Sequence, residues 1–119
     1  MSALLGLLWI GIGAAWLWMA WLMSQRRLAY GSRWGILRPW ARTSEEAWFE
    51  AHQAMATAVG LGGGITVLGG LVIVVSGMDN IVGTIGFLVA VLASVIGQFV
   101  GLRQARAAVD RLTNDPAPG

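Results

Sequence analysis

Apolar residues in this chain fall in long unbroken blocks, not at the alternating spacing of a half-buried strand or along one stripe of a surface helix. Residues 3–23, 54–77 and 81–102 contain no Asp, Glu, His, Lys or Arg, and each block is about 20 residues long. A soluble helix of that length carries a polar face, and these blocks have none. About 20 apolar residues match the roughly 30 Å hydrocarbon layer of a bilayer. The pattern predicts an all-α integral membrane protein, a three-helix bundle forming one domain over residues 1–119. Between the second and third blocks lie only Gly77, Met78, Asp79 and Asn80. So short a turn makes those two spans antiparallel neighbours.

The polar positions lie in a loop, residues 24–53, and a tail, residues 103–119. Only residues 33–55, RWGILRPWARTSEEAWFEAHQAM, mix arginines, carboxylates, a histidine, a proline and aromatics. Gly31, Gly35 and Pro39 interrupt any long helix in the first part of the loop. Its apolar residues, among them Leu28, Tyr30, Ile36 and Trp40, suit the membrane interface, with the arginines meeting phosphates. Thr43-x-x-Glu46 has capping-box spacing, and Glu45 and Glu46 suit the positive end of a helix dipole. A short amphipathic helix is expected from there, running into the second span without a break. Trp48, Ala51, His52 and Met55 share one of its faces, and Glu46 and Glu50 another. The tail sequence RQARAAVDRLTND is expected to extend the third span and end before Pro116.

Glycine is abundant in the second span, and in lipid glycines act as notches for a neighbouring helix. Gly60 and Gly64 lie four residues apart, and Gly86, Ala90, Gly97 and Gly101 offer a matching ridge on the third span. Gly11 and Ala15 have the same interval on the first span. These positions are the expected helix-packing surface.

Charge adds an orientation. All eight basic residues are arginine: five between the first two spans, three after the third, and none in the turn at 77–80. The positive-inside bias places the loop and the C-terminus in the cytoplasm and the N-terminus outside. No basic residue precedes the first apolar block, unlike a secretory signal peptide. Trp16, Trp18 and Trp21 crowd one end of the first span, where indoles anchor at headgroups.

Candidate chemistry is sparse. With no ionisable residue inside the spans, proton-coupled transport lacks its usual acid or base. Gln98, Ser94, Thr66 and Thr84 are read as helix–helix hydrogen bonders. There is no cysteine, and one histidine with carboxylates on adjacent turns is a weak metal signal. Ser44 stands at a helix start, where it or Thr43 acts as a cap, and no nucleophile–base pair is visible. No catalytic residue, metal, cofactor or nucleic-acid partner is expected.

The segment Gly35-Ile36, Arg38-Pro39, Ser44-Glu45-Glu46-Ala47-Trp48 and His52, followed by a glycine-rich span and a final span, resembles the SdpI-type membrane proteins. These are the immunity family for a sporulation-delaying peptide toxin. The family pattern has Gly-Ile-Arg, an acidic pair, Trp, and His four residues later. Leu37 stands where the arginine is expected, with Arg38 one place on, and Trp40 and Arg42 replace small or threonine-like residues. The resemblance covers the C-terminal part of longer members. It implies a non-enzymatic bacterial inner-membrane protein, with binding residues carried over to Gly35, Arg38, Pro39, Glu45, Glu46, Trp48 and His52.

The resulting expectation is a protein that acts by binding through residues 33–55. Arg38 makes charge-assisted contacts, Trp48 packs, and His52 with Glu46 ties the helix to the loop. Membrane lipids and a membrane-protein partner or homo-oligomer are the expected partners. An accessory subunit of a larger complex is the alternative, and a small transporter a further one.

Overall fold

A computed structural model describes residues 2–30, 36 and 38–114. It contains three long helices: α1 (Ser2–Ser24), α2 (Glu45–Ser76) and α3 (Ile81–Asn114). A short 3-10 turn, Pro39–Ala41, lies between the first two. Among the described residues there is no strand. All three helices are long and apolar enough to cross a membrane, so the chain is a multi-pass membrane protein. As expected from the sequence, the amphipathic segment and the second span are one helix, and α3 continues past its apolar block. At 1.5 Å per residue the 32 residues of α2 reach about 48 Å, well beyond the apolar layer. Its first turns therefore stand outside the hydrocarbon, at the end that carries the arginines.

The helix ends show how the chain turns. α1 stops in a Schellman arrangement, with Arg27 N–H donating to Leu22 O (2.8 Å) and Arg26 N–H to Met23 O (3.3 Å). Arg26 takes the left-handed position there (φ 57°), one usually given to glycine. The start of α2 differs from the expected capping box. Ser44, not Thr43, is the N-cap, and its hydroxyl accepts from Ala47 N–H at 3.0 Å. Thr43 instead donates its hydroxyl to Trp40 O (3.4 Å), because the preceding 3-10 turn shifts the helix start by one residue. Position 47, where the reciprocal carboxylate would have to stand, is alanine. In the opposite turn, Asn80 accepts from Gly83 N–H (3.0 Å) and donates to Ser76 O (2.6 Å), clamping α2 to α3.

Packing is organised by two glycine doublets on α2, Gly62-Gly63 and Gly69-Gly70, spaced seven residues apart. Successive residues of a helix point about 100° apart, so each doublet presents two notches in different directions. Gly63 and Gly70 receive α1: a Cβ at Gly63 would meet Gly13 O at 2.9 Å, and one at Gly70 would meet Gly6 O at 2.7 Å. Gly62 and Gly69 receive α3, where a Cβ would meet Ala93 O at 2.8 Å and Gly86 O at 2.6 Å. Gly86, Gly97, Gly101 and the fully buried Ala90 form the answering surface on α3, as expected.

The four-residue intervals on α1 and α2 do not form the seam. Gly60 makes only ordinary contact with Ala20, while Gly64 and Gly11 have nothing within 4 Å and Ala15 is exposed. A seven-residue repeat stays on the contact line of slightly supercoiled antiparallel helices, and Gly60, Gly64, Gly11 and Ala15 fall outside that repeat.

This geometry also separates α1 from α3. Two helices seated about 8–10 Å from α2, and about 100° apart around it, stand roughly 12–15 Å from each other. Only large side chains bridge such a gap. Trp9 of α1 meets Phe87 of α3 edge-on, with centroids 5.8 Å apart. Trp16 is half-buried, with its indole N–H enclosed, and so acts as a wedge between helices more than as an interfacial anchor. Trp18 and Trp21 do face outward, stacked at 5.5 Å. Between α2 and α3, Thr66 bonds to Gly62 O (2.7 Å) and to Ser94 Oγ (3.0 Å), an interhelical pair of the kind expected. Thr84 instead bonds within its own helix end, to Asn80 O at 3.1 Å. Gln98 has no hydrogen-bond partner among the described residues.

Neighbouring glycines give a controlled test. Gly63→Leu should lower stability by about 1–3 kcal/mol through overpacking, and Gly64→Leu should stay within about 0.5 kcal/mol of the parent. Thermal unfolding in detergent micelles reads the difference.

Candidate functional site: a basic collar built on Trp48 and His52

Where the helices leave the apolar layer, the end of α1, the loop, the start of α2 and the end of α3 converge. Trp48 and His52 lie at their centre, 0% and 1% exposed. They occupy one face of α2 because they are four residues apart, and their rings meet at 4.3 Å. Ala51 and Met55 complete the shared face that the sequence spacing predicts, and all four residues are buried.

Each ring holds a different point of the loop. Trp48 donates its indole N–H to Leu28 O at 3.0 Å. Ile36 donates its backbone N–H to His52 Nε2 at 2.9 Å. A ring nitrogen that accepts must be unprotonated, so the proton lies on Nδ1, which faces Trp48 O at 2.7 Å. The imidazole is thereby fixed as one neutral tautomer. Tyr30 packs edge-on against Trp48 (5.8 Å) and donates its hydroxyl to Arg42 O (2.7 Å). Arg42 lies over the indole at 5.2 Å and donates from Nε to Ile36 O at 3.1 Å. Both polar groups of the Ile36 backbone are satisfied in this way.

Burial pushes the His52 imidazole below its ordinary value, the Trp48 carbonyl partly opposes this, and the Arg42 guanidinium adds to the lowering. Around this centre the packing is mainly apolar with cationic edges. Arg26 lies over Phe49 (5.1 Å), donates to Gln53 (3.1 Å) and faces Glu50 at 3.6 Å. On the other side Arg106 of α3 lies over Trp40 at 5.2 Å, and Ala105, Ala108 and Val109 are buried beneath.

The expected site residues divide into two groups. Trp48 and His52 are interior, so they shape the collar and do not form its outer face. Arg38, Pro39, Glu45 and Glu46 are exposed. Arg38 makes no ion pair or side-chain hydrogen bond among the described residues, unlike the contacts expected of it. Pro39 opens the 3-10 turn. Gly35 lies outside the described residues. The expected link between His52 and Glu46 is absent: Glu46 points away from the buried face, and Ile36 N–H and Trp48 O take both ring nitrogens. Sequence reasoning placed Leu28, Tyr30 and Ile36 in the membrane interface and the arginines on phosphates; Leu28 and Ile36 are instead buried in the collar, and Tyr30, Arg42 and Arg26 pack around it. The positive φ of Arg26 has no sequence signal, and a backbone carbonyl such as that of Leu28 has no residue-type signature at all. Among the described residues no three His, Cys, Asp or Glu side chains gather as metal ligands. No family profile, curated protein or solved structure matches the chain.

Two outcomes follow from this geometry. Trp48→Ala should cost about 3–5 kcal/mol, as for other buried aromatic truncations, measured by unfolding in detergent. Because folding lowers the pKa of His52, the unfolded chain binds more protons at acid pH. Stability should be complete above about pH 6.5 and fall as the pH drops below it toward the depressed folded value. Hydrogen exchange at the Ile36 amide should quicken over the same range, and His52→Ala should remove the pH dependence of both.

Proposed function

We propose that the chain is a non-enzymatic, SdpI-like bacterial inner-membrane protein that acts by binding a partner at its cytoplasmic collar. One observation carries this reading: the loop is fixed from below by Trp48 and His52, while Arg38, Pro39, Glu45 and Glu46 are left outward and exposed. A pre-ordered surface binds with little entropic cost of ordering. Arg38 and the Glu45–Glu46 pair offer charges of both signs at exposed positions, which suits charge-assisted contacts with a protein partner. The resemblance to SdpI proteins supports an immunity or signalling role of this kind. The arginine distribution supports a cytoplasmic collar and C-terminus, with the turn at 77–80 outside.

A second reading, an accessory subunit seated on a larger membrane complex, draws on Gly11 and Gly64. Both are open notches on outward helix faces, with nothing within 4 Å, and Gly11 is followed four residues later by exposed Ala15.

Affinity purification from native membranes tests the binding role. Arg38→Gln with Glu45→Gln and Glu46→Gln should abolish capture while lowering stability by only about 1–2 kcal/mol, the loss of two carboxylates from the first turn of α2. Capture untouched by all three changes rules the collar out. Loss of capture only in a Gly11→Leu, Gly64→Leu variant favours the accessory-subunit reading. The native chain has no cysteine, so single thiols at Glu45→Cys and Asp79→Cys report topology. Labelling of position 45 from outside the cell overturns the orientation.

A further inference from the structure

The slot between α1 and α3 has a form that the collar reading does not use. On one side stand Trp16 and Met23 of α1, on the other Gln98, Phe99 and Leu102 of α3, with Met55 of α2 as floor. Its volume is about 720 Å³, within the range of small-molecule sites. Trp9 and Phe87 bridge α1 and α3 about two turns beyond Trp16 and Ser94. Ile36 and Arg38 of the loop stand at the near end, so the slot opens at the collar. From Trp16 to Met23 it runs roughly 10 Å at 1.5 Å per residue, most of the apolar depth of one leaflet. With α1 and α3 axes roughly 12–15 Å apart and each helix about 10 Å across, the free width is only a few ångströms. That excludes a helix and admits a hydrocarbon chain.

We propose that this slot binds one anionic phospholipid of the adjacent leaflet, with an acyl chain between α1 and α3 and the phosphate on Arg38. Three features point to that ligand. The walls are apolar apart from Ser94 and the Gln98 carboxamide. Ser94 is satisfied by Thr66, but Gln98 is half-buried without a partner among the described residues, a costly state in a membrane that a lipid ester or phosphate oxygen relieves. Arg38 stands at the mouth, at headgroup level, with its charge uncompensated among the described residues. A cation at the open end of an apolar slot complements a ligand with an anionic head and an apolar tail. The proposal shares Arg38 with the collar reading but does not depend on a protein partner.

Native mass spectrometry of the full chain, released from detergent with added phosphatidylglycerol or phosphatidylcholine, provides the test. The parent should retain one phosphatidylglycerol in preference to phosphatidylcholine. Arg38→Gln should weaken that retention about fivefold, the worth of one basic residue at an anionic headgroup. Val95→Trp fills the slot from its rim, where Val95 is largely exposed, and should weaken retention of both lipids. Arg103→Gln, an exposed arginine outside the slot, should change nothing. Equal retention of the two lipids, or retention unaltered by both Arg38→Gln and Val95→Trp, overturns the proposal. So does a lipid-free dimer that Val95→Trp dissociates, since the slot is then covered by a second copy. Failure here leaves partner capture by Glu45 and Glu46 unaffected, and a failure of capture leaves lipid retention unaffected. The two readings therefore fall separately.

Discussion

Close backbone approach at glycine governs this structure. In lipid, apolar side chains gain nothing by leaving the solvent for each other, so helices associate through shape and through the few polar groups that find partners. Each doublet on α2 removes two adjacent side chains, and two neighbours settle against bare backbone at carbonyl-to-carbon distances. The central position of α2, the separation of α1 from α3, and the tryptophans that fill between them are all consequences of which residues lack a Cβ.

The collar follows from the same placement by a different kind of force. Once α1 is seated, its end lies near the first turns of α2, and the loop must return across a short distance. At Leu28 and Ile36 side chains take over the pairing of backbone groups. One indole N–H and one imidazole nitrogen satisfy the Leu28 carbonyl and the Ile36 amide. Arg42 and Tyr30 then close the ring of hydrogen bonds around the same indole. An apolar cluster of Met23, Leu28, Ile36, Ala41 and Met55 excludes water from it, which is why each of these bonds is worth making.

Much of this architecture was legible in the residues. Blocks without charge marked the number of the spans, and the spacing of Trp48, Ala51, His52 and Met55 put them on one face. The glycines were visibly packing residues, but on α1 and α2 the interval that mattered was seven and not four. Sequence spacing alone cannot distinguish these when both intervals are present, as they are around Gly60, Gly63, Gly64 and Gly70. The cap fell on Ser44 because a 3-10 turn precedes it, and such a turn leaves little trace beyond Pro39. The motif residues were found, but their roles were reversed in part. Trp48 and His52 serve the interior, and the sequence offers no rule for which aromatic or histidine of an amphipathic turn faces inward. Backbone partners, above all Leu28 and Ile36, carry no identifying chemistry of their own.

The two connections differ greatly in length, and so in the entropy of closing them. The Gly77–Asn80 link closes a hairpin at once, whereas bringing α1 home requires closing a chain segment of about twenty residues, at greater entropic expense. α1 docks through the longer of the two connections. The Leu28 carbonyl and Ile36 amide come with it, so the knot around the indole can be tied only after docking is finished. The collar thus records completed insertion: a molecule that displays it has all three rods in place.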